Sequence, residues 1–192
     1  MKTGRIEAFS DGVLAIIITI MVLELKVPHG NDLHALRPML PVFLSYVLSF
    51  VYVGIYWNNH HHLFHATEEI GGGVLWANLG LLFCLSLIPV VTAWVGENFD
   101  APWPAALYGV VLLMSAIAWV VLERAIITHE GPRSDLARAV GRGLKEKLSP
   151  LAYVAGIGAA FIRPWMAILL YACAALAWII PDRRIERRLR EH

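Results

Sequence analysis

Near its start the chain reads Arg5-Ile6-Glu7-Ala8-Phe9-Ser10-Asp11-Gly12-Val13-Leu14-Ala15-Ile16-Ile17-Ile18-Thr19-Ile20-Met21-Val22-Leu23-Glu24-Leu25-Lys26. No charge falls between Gly12 and Leu23, and Thr19 carries the one hydroxyl there. An α-helix rises about 1.5 Å per residue, so about 20 mostly apolar residues cross a hydrocarbon core of roughly 30 Å. The segment from Ile6 to Lys26 therefore reads as a membrane helix. The rest of the 192-residue chain agrees: 58% of it is apolar and only 16% is charged. With its 15 glycines the apolar share is roughly two thirds, against about 45–50% in an average soluble domain. A soluble chain of this size could not cover so much hydrocarbon with polar surface.

Five further apolar runs follow, near Pro41 to Leu63, Leu75 to Val95, Ala105 to Leu122, Leu148 to Ile162 and Trp165 to Ile180. Arg163-Pro164 separates the last two, which read as a tight hairpin. The sequence predicts an all-α integral membrane protein with six transmembrane helices per subunit in a single domain, 1–192. Cytoplasmic segments carry the excess of Lys and Arg, and an inside N-terminus sorts these residues sharply. Lys2, Arg5, Arg124, Arg133, Arg138, Arg142, Lys145, Lys147, Arg183, Arg184, Arg187, Arg188 and Arg190 fall on one side, and only Lys26, Arg37 and Arg163 on the other. Both termini are expected in the cytoplasm, with the protein in the cell membrane. A cleaved signal peptide fits poorly, because Glu7 and Asp11 interrupt the charge-then-apolar order. The polar stretch at about 125–147 reads as a cytoplasmic amphipathic linker, and 181–192 as a basic tail suited to anionic headgroups. A formal net charge of +1 gives no argument for nucleic acid. Cys84 and Cys173 sit inside apolar runs, as small buried side chains do.

Ionisable groups within a membrane helix are costly and functional by default. At about 100° per residue, Gly12, Ile16, Thr19, Ile20 and Leu23 share one face of the first helix, and Asp11 points away from it. The Ser10 and Asp11 face must find partners on neighbouring helices. Glu24, beside Lys26, is placed to reach the headgroups.

The segment Arg5-x-x-x-Phe9-Ser10-Asp11-Gly12-Val13 resembles the signature of the transmembrane protein 175 family of potassium channels. Trp57-x-Asn59-His60-His61-x-Leu63-Phe64, Trp76-x-Asn78-Leu79-x-Leu81-Leu82-Phe83 with Pro89, Ala93-x-x-Gly96-Glu97 and Ile180-Pro181-Asp182-Arg183 are similar to the bacterial members in the same order. The resemblance implies a pore lined by the first helix and, with one six-helix unit per chain, a homotetramer in the lipid bilayer that passes potassium ions. It places the narrowest ring on Ile16, with Ile20 and Leu23 further along and Thr19 as the adjoining hydroxyl layer. It also implies a packing network of Arg5, Phe9, Ser10 and Asp11 with His61, Trp76 and Asn78. No cofactor beyond the permeant ion and no enzymatic activity are implied. The chain lacks a Thr-Val-Gly-Tyr-Gly filter, so selectivity would rest on the constriction and discriminate modestly in favour of potassium.

Two rival readings start from the same residues. The cluster His60, His61, His62 and His65 invites a metal, but the other histidines, His29, His34, His129 and His192, are isolated. A desaturase-like or haem site would need more boxes, so no metal site is expected. A proton-coupled secondary transporter would use Asp11 and His61 as a relay. Against it, the middle of the first helix is apolar and no paired repeat is evident.

Overall fold

The computed structural model describes residues 3–30, 32–67, 70–131 and 144–179, with the side chains of 144–147 left aside. Its helices are α1 (Gly4–Leu23), α2 (Leu40–His65), α3 (Gly72–Ser86), α4 (Ile88–Glu97), α5 (Pro102–Glu130), α6 (Leu144–Ala160) and α7 (Pro164–Ile179), with a 3₁₀ turn at Leu33–Met39 before α2. This is an all-α, multi-pass membrane fold. Four segments, Gly4–Leu23, Leu33–His65, Gly72–Glu97 and Pro102–Glu130, are long and apolar enough to cross a bilayer. The last two helices, of 17 and 16 residues, reach only about 24–26 Å.

Prolines set several boundaries. Pro41 and Pro102 stand in the first turns of α2 and α5, where a missing N–H costs nothing. Pro89 does the same for α4, and that divides the third apolar run. A proline ring crowds the carbonyl four residues back and removes one helical donor, so the run breaks at Leu87, whose N–H bonds instead to the Cys84 carbonyl at 3.2 Å. The hydropathy reading gave this run as one helix. It also placed a linker from about residue 125, whereas α5 continues to Glu130. Most of the expected linker, 132–143, and the expected tail, 181–192, lie outside the described residues.

The interior is built on tyrosines. Tyr52, Tyr108 and Tyr171 are each at most 2% exposed, and every one of their hydroxyls is bonded, as burial in an apolar medium demands. Tyr52 donates to the Tyr171 carbonyl at 2.6 Å, Ser49 Oγ lies 2.8 Å from the Tyr108 hydroxyl and 2.6 Å from Thr92 Oγ1, and Tyr171 donates to the Ala105 carbonyl at 3.3 Å. These bonds tie α2, α4, α5 and α7 into one bundle. Tyr171 occupies a slot made by two glycines. A Cβ on Gly109 would lie 2.6 Å from its Cζ, and one on Gly156 would lie 2.8 Å from the same atom. Gly109→Ala is therefore expected to destabilise the fold by about 1–3 kcal/mol, the usual cost of an added core methyl. Thermal unfolding in detergent would measure it, with Gly80→Ala as a control because a Cβ there meets open space.

At the opposite end from the N-terminus of α1, Lys26 donates to Glu97 Oε1 at 2.8 Å, and this carboxylate holds the ammonium above its ordinary pKa. Both side chains are more than half exposed, so solvent screens the pair. Lys26→Ala is expected to leave the melting temperature unchanged; a clear drop would mean the pair is covered in the assembled protein.

Candidate functional site

Helix α1 has two unlike faces. Ile6, Ser10, Leu14, Ile17 and Met21 are buried in the bundle, against α2, α3 and α4. Their spacing of four, four, three and four keeps them on one stripe. The stripe of Gly12, Ile16, Thr19, Ile20 and Leu23 lies about 130° round the helix at about 100° per residue. It faces away from the rest of the subunit. Ile16 is 58% and Leu23 79% exposed, while Ile17, one residue on, is 4% exposed. Thr19 Oγ1 donates to the Ile16 carbonyl at 2.9 Å, so its proton is held within the helix and its lone pairs remain for the exposed side.

Ser10 sits on the buried stripe of α1, and Glu7 and Asp11 on its flank toward α2. Asn78 on α3 donates from Nδ2 to Ser10 Oγ at 3.0 Å, and its Oδ1 lies 2.8 Å from His60 Nε2. Because a carbonyl oxygen only accepts, His60 carries its proton on Nε2. Ser10, His60 and Asn78 are at most 1% exposed, and this chain fixes α1, α2 and α3 to one another. On the flank, Trp57 Nε1 donates to Asp11 Oδ1 at 3.0 Å, and His61 Nδ1 lies 2.7 Å from Glu7 Oε1. Glu7 and Asp11 are four apart, as are Trp57 and His61, so two antiparallel helices meet rung by rung.

Within one subunit the residues of the network implied by the resemblance divide into two sets. Ser10 and Asn78 do bond, and Asp11 and His61 each join α1 to α2, but through Trp57 and Glu7. Within one subunit Arg5, Phe9 and Trp76 stand outside the network: all three are exposed, Phe9 by 53% and Trp76 by 77%. Helical register is the reason. Arg5 and Phe9 precede Gly12 and Ile16 by seven residues, about two turns, and so continue the exposed stripe. Glu7 and Trp57 were the missed partners; the i, i+4 relations of Glu7 to Asp11 and of Trp57 to His61 were the available signal. Asp11 and His61 have separate partners, which leaves no direct relay between them. The histidine cluster also divides. His60 turns inward to Asn78 while the His61 and His65 rings stack at 6.0 Å, and among the described residues no three His, Cys, Asp or Glu side chains gather as a metal site.

The family model described as the endosomal/lysosomal potassium channel TMEM175 matches residues 5–89, which hold both faces of α1 and its polar partners. A potassium channel of Chryseobacterium sp. (strain P1-3) is 56% identical over 192 residues, covering 100% of both chains. The chain belongs to the TMEM175 family. A potassium channel of Streptomyces collinus is 33% identical over 187 residues, 91% of this chain and 90% of that one. The crystal structure of a lysosomal potassium-selective channel TMEM175 homolog from Chamaesiphon minutus matches with a TM-score of 0.79 at 29% identity, covering 93% of this chain and 96% of that chain. The family places this protein among channels rather than enzymes, and as a single-repeat bacterial member it spans the length of these relatives.

Proposed function

We propose that this protein is a potassium-permeable channel in which four copies arrange α1 around a common axis, with six membrane crossings per copy and both termini in the cytoplasm. The observation that carries the reading is the divided surface of α1. One stripe is packed into the bundle, and the other presents Ile16, Thr19, Ile20 and Leu23 outward. In a tetramer this outward stripe forms rings around a water path.

A ring of four Ile16 side chains sheds water and closes the path without a plug, and a small widening rewets it. Thr19 suits a cation next to that ring. Its hydroxyl proton is engaged by the Ile16 carbonyl, so four oxygens offer lone pairs and no competing donor. Potassium gives up water more easily than sodium at such a sparse site, which favours it by a modest factor. Flow is passive, and the Ser10–Asn78–His60 chain and the two α1–α2 rungs hold the stripe in register.

Recording purified protein in a planar bilayer under opposing potassium and sodium gradients tests the reading. The expected reversal potential lies toward potassium, with current proportional to driving force. A saturating flux that needs a second, coupled ion would replace the channel by a transporter. Thr19→Val keeps the shape of the side chain and removes the oxygen, and is expected to bring the potassium and sodium permeabilities together while preserving current.

A further inference from the structure

Away from α1, a groove of about 250 Å³ runs between α2 and the end of α7, along Phe50, Gly54, Asn58 and Ile179. Behind it lies a cavity of about 50 Å³ among Tyr56, Trp119, Pro150 and Tyr153. Ile55, Asn59 and Trp178 border both spaces, so the two adjoin as one recess, with Tyr56, Trp119 and Tyr153 lining its inner part. Its walls are apolar apart from a few groups. Ser149 is engaged by Trp178 Nε1 at 2.7 Å, and Trp119 Nε1 by Glu123 at 2.6 Å. The carboxamides of Asn58 and Asn59 have no hydrogen bond among the described residues.

Two unengaged amides on a membrane helix call for a partner, because lipid tails offer none. Their depth narrows its nature. Helix α2 has 26 residues, about 39 Å against a core of roughly 30 Å, and its polar residues from Asn58 to His65 gather at the C-terminal end, so the excess falls there and puts Asn59, about 9 Å from that end, at the border of hydrocarbon and headgroups. Esters and glycerol oxygens lie at that level in a bilayer. Charge narrows it further. Ile179 is followed in sequence by Arg183, Arg184, Arg187, Arg188 and Arg190, and clustered arginine beside a membrane favours anionic headgroups.

We propose that this recess is a binding site for one anionic phospholipid per subunit, with an acyl chain in the groove over Gly54 and the ester oxygens at Asn58 and Asn59. The site is independent of the pore on α1 and stands whether or not that pore reading holds.

The test uses the full-length protein in phosphatidylcholine vesicles doped with phosphatidylglycerol carrying a photoactivatable acyl chain, and adducts are mapped by mass spectrometry. Adducts are expected on Phe50 to Asn59 and on Trp178 and Ile179, at least about fivefold above those on the exposed α5 residues Ile117 and Val121, a preference of measurable binding size. Gly54→Leu puts a side chain into the groove from a position where a Cβ meets nothing within 4 Å, and is expected to abolish the enrichment. Asn58→Ala with Asn59→Ala is expected to lower it severalfold in a protein whose groove is unaltered, and the same tag on phosphatidylcholine is expected to label the recess weakly. Even labelling of α2, α5 and α7, labelling unaffected by both variants, or equal labelling by the two lipids would overturn the site.

Discussion

Ile16→Asn is expected to raise potassium flux into reconstituted vesicles by at least about tenfold while eroding the preference over sodium. The change asks little of the energetics. About 1.4 kcal/mol off the barrier gives a factor of ten, and four carboxamides in place of four butyl groups supply water-binding sites where the path is otherwise dry. Loss of the preference follows from the same cause, since a wet constriction lets sodium pass with its own hydration. Ile17→Asn is the matched control. The same exchange is made one residue on, but Ile17 is 4% exposed and packed into the bundle, so the buried amide would lack partners and the fold would suffer by about 1–3 kcal/mol. The pair of outcomes separates a water-facing stripe from a merely exposed one. Should Ile16→Asn leave the flux unchanged in intact protein, Ile16 does not form the constriction.

Much of this arrangement was legible in the chain because helical period and hydropathy are local. They mark out the apolar segments and both faces of α1, and they single out Ser10 and Asp11 as groups needing partners. Local period says nothing of how far one helix slides along another, and that offset decides whether Asp11 meets His61 or Trp57. The Glu7–His61 and Asp11–Trp57 rungs therefore had to be seen in three dimensions. Arg5 and Phe9 are a different case. The arithmetic that groups Gly12 and Ile16 also puts these two on the exposed face, and grouping them with Asp11 came from the family resemblance instead of from register. The break before Pro89 was equally available from the residue itself. The recess at Gly54 was not, since it depends on the missing side chain and on where α7 ends relative to α2.

Asn78→Leu is expected to cost about 2–4 kcal/mol of stability, far more than an average interhelical hydrogen bond in a membrane protein, which nets only about 0.6 kcal/mol. The average is small because the unfolded chain in the bilayer finds substitute partners. Here the damage falls on the folded state. His60 is 1% exposed, and its Nδ1 already lacks a partner among the described residues. Removing Asn78 takes the acceptor from Nε2–H and leaves neither ring nitrogen satisfied, and it also strips the donor from Ser10 Oγ. Each buried group left unpaired costs about 1–3 kcal/mol. The double variant Asn78→Leu with His60→Phe is expected to recover a large part of the loss, since it leaves no unpaired ring nitrogen and only Ser10 Oγ still without its donor. Thermal unfolding of the two singles and the double in detergent would give the coupling directly. Additive losses would show that His60 and Asn78 act separately. Strong coupling would make the bond between them the clamp that sets how α1 turns its Ile16 face away from its own bundle.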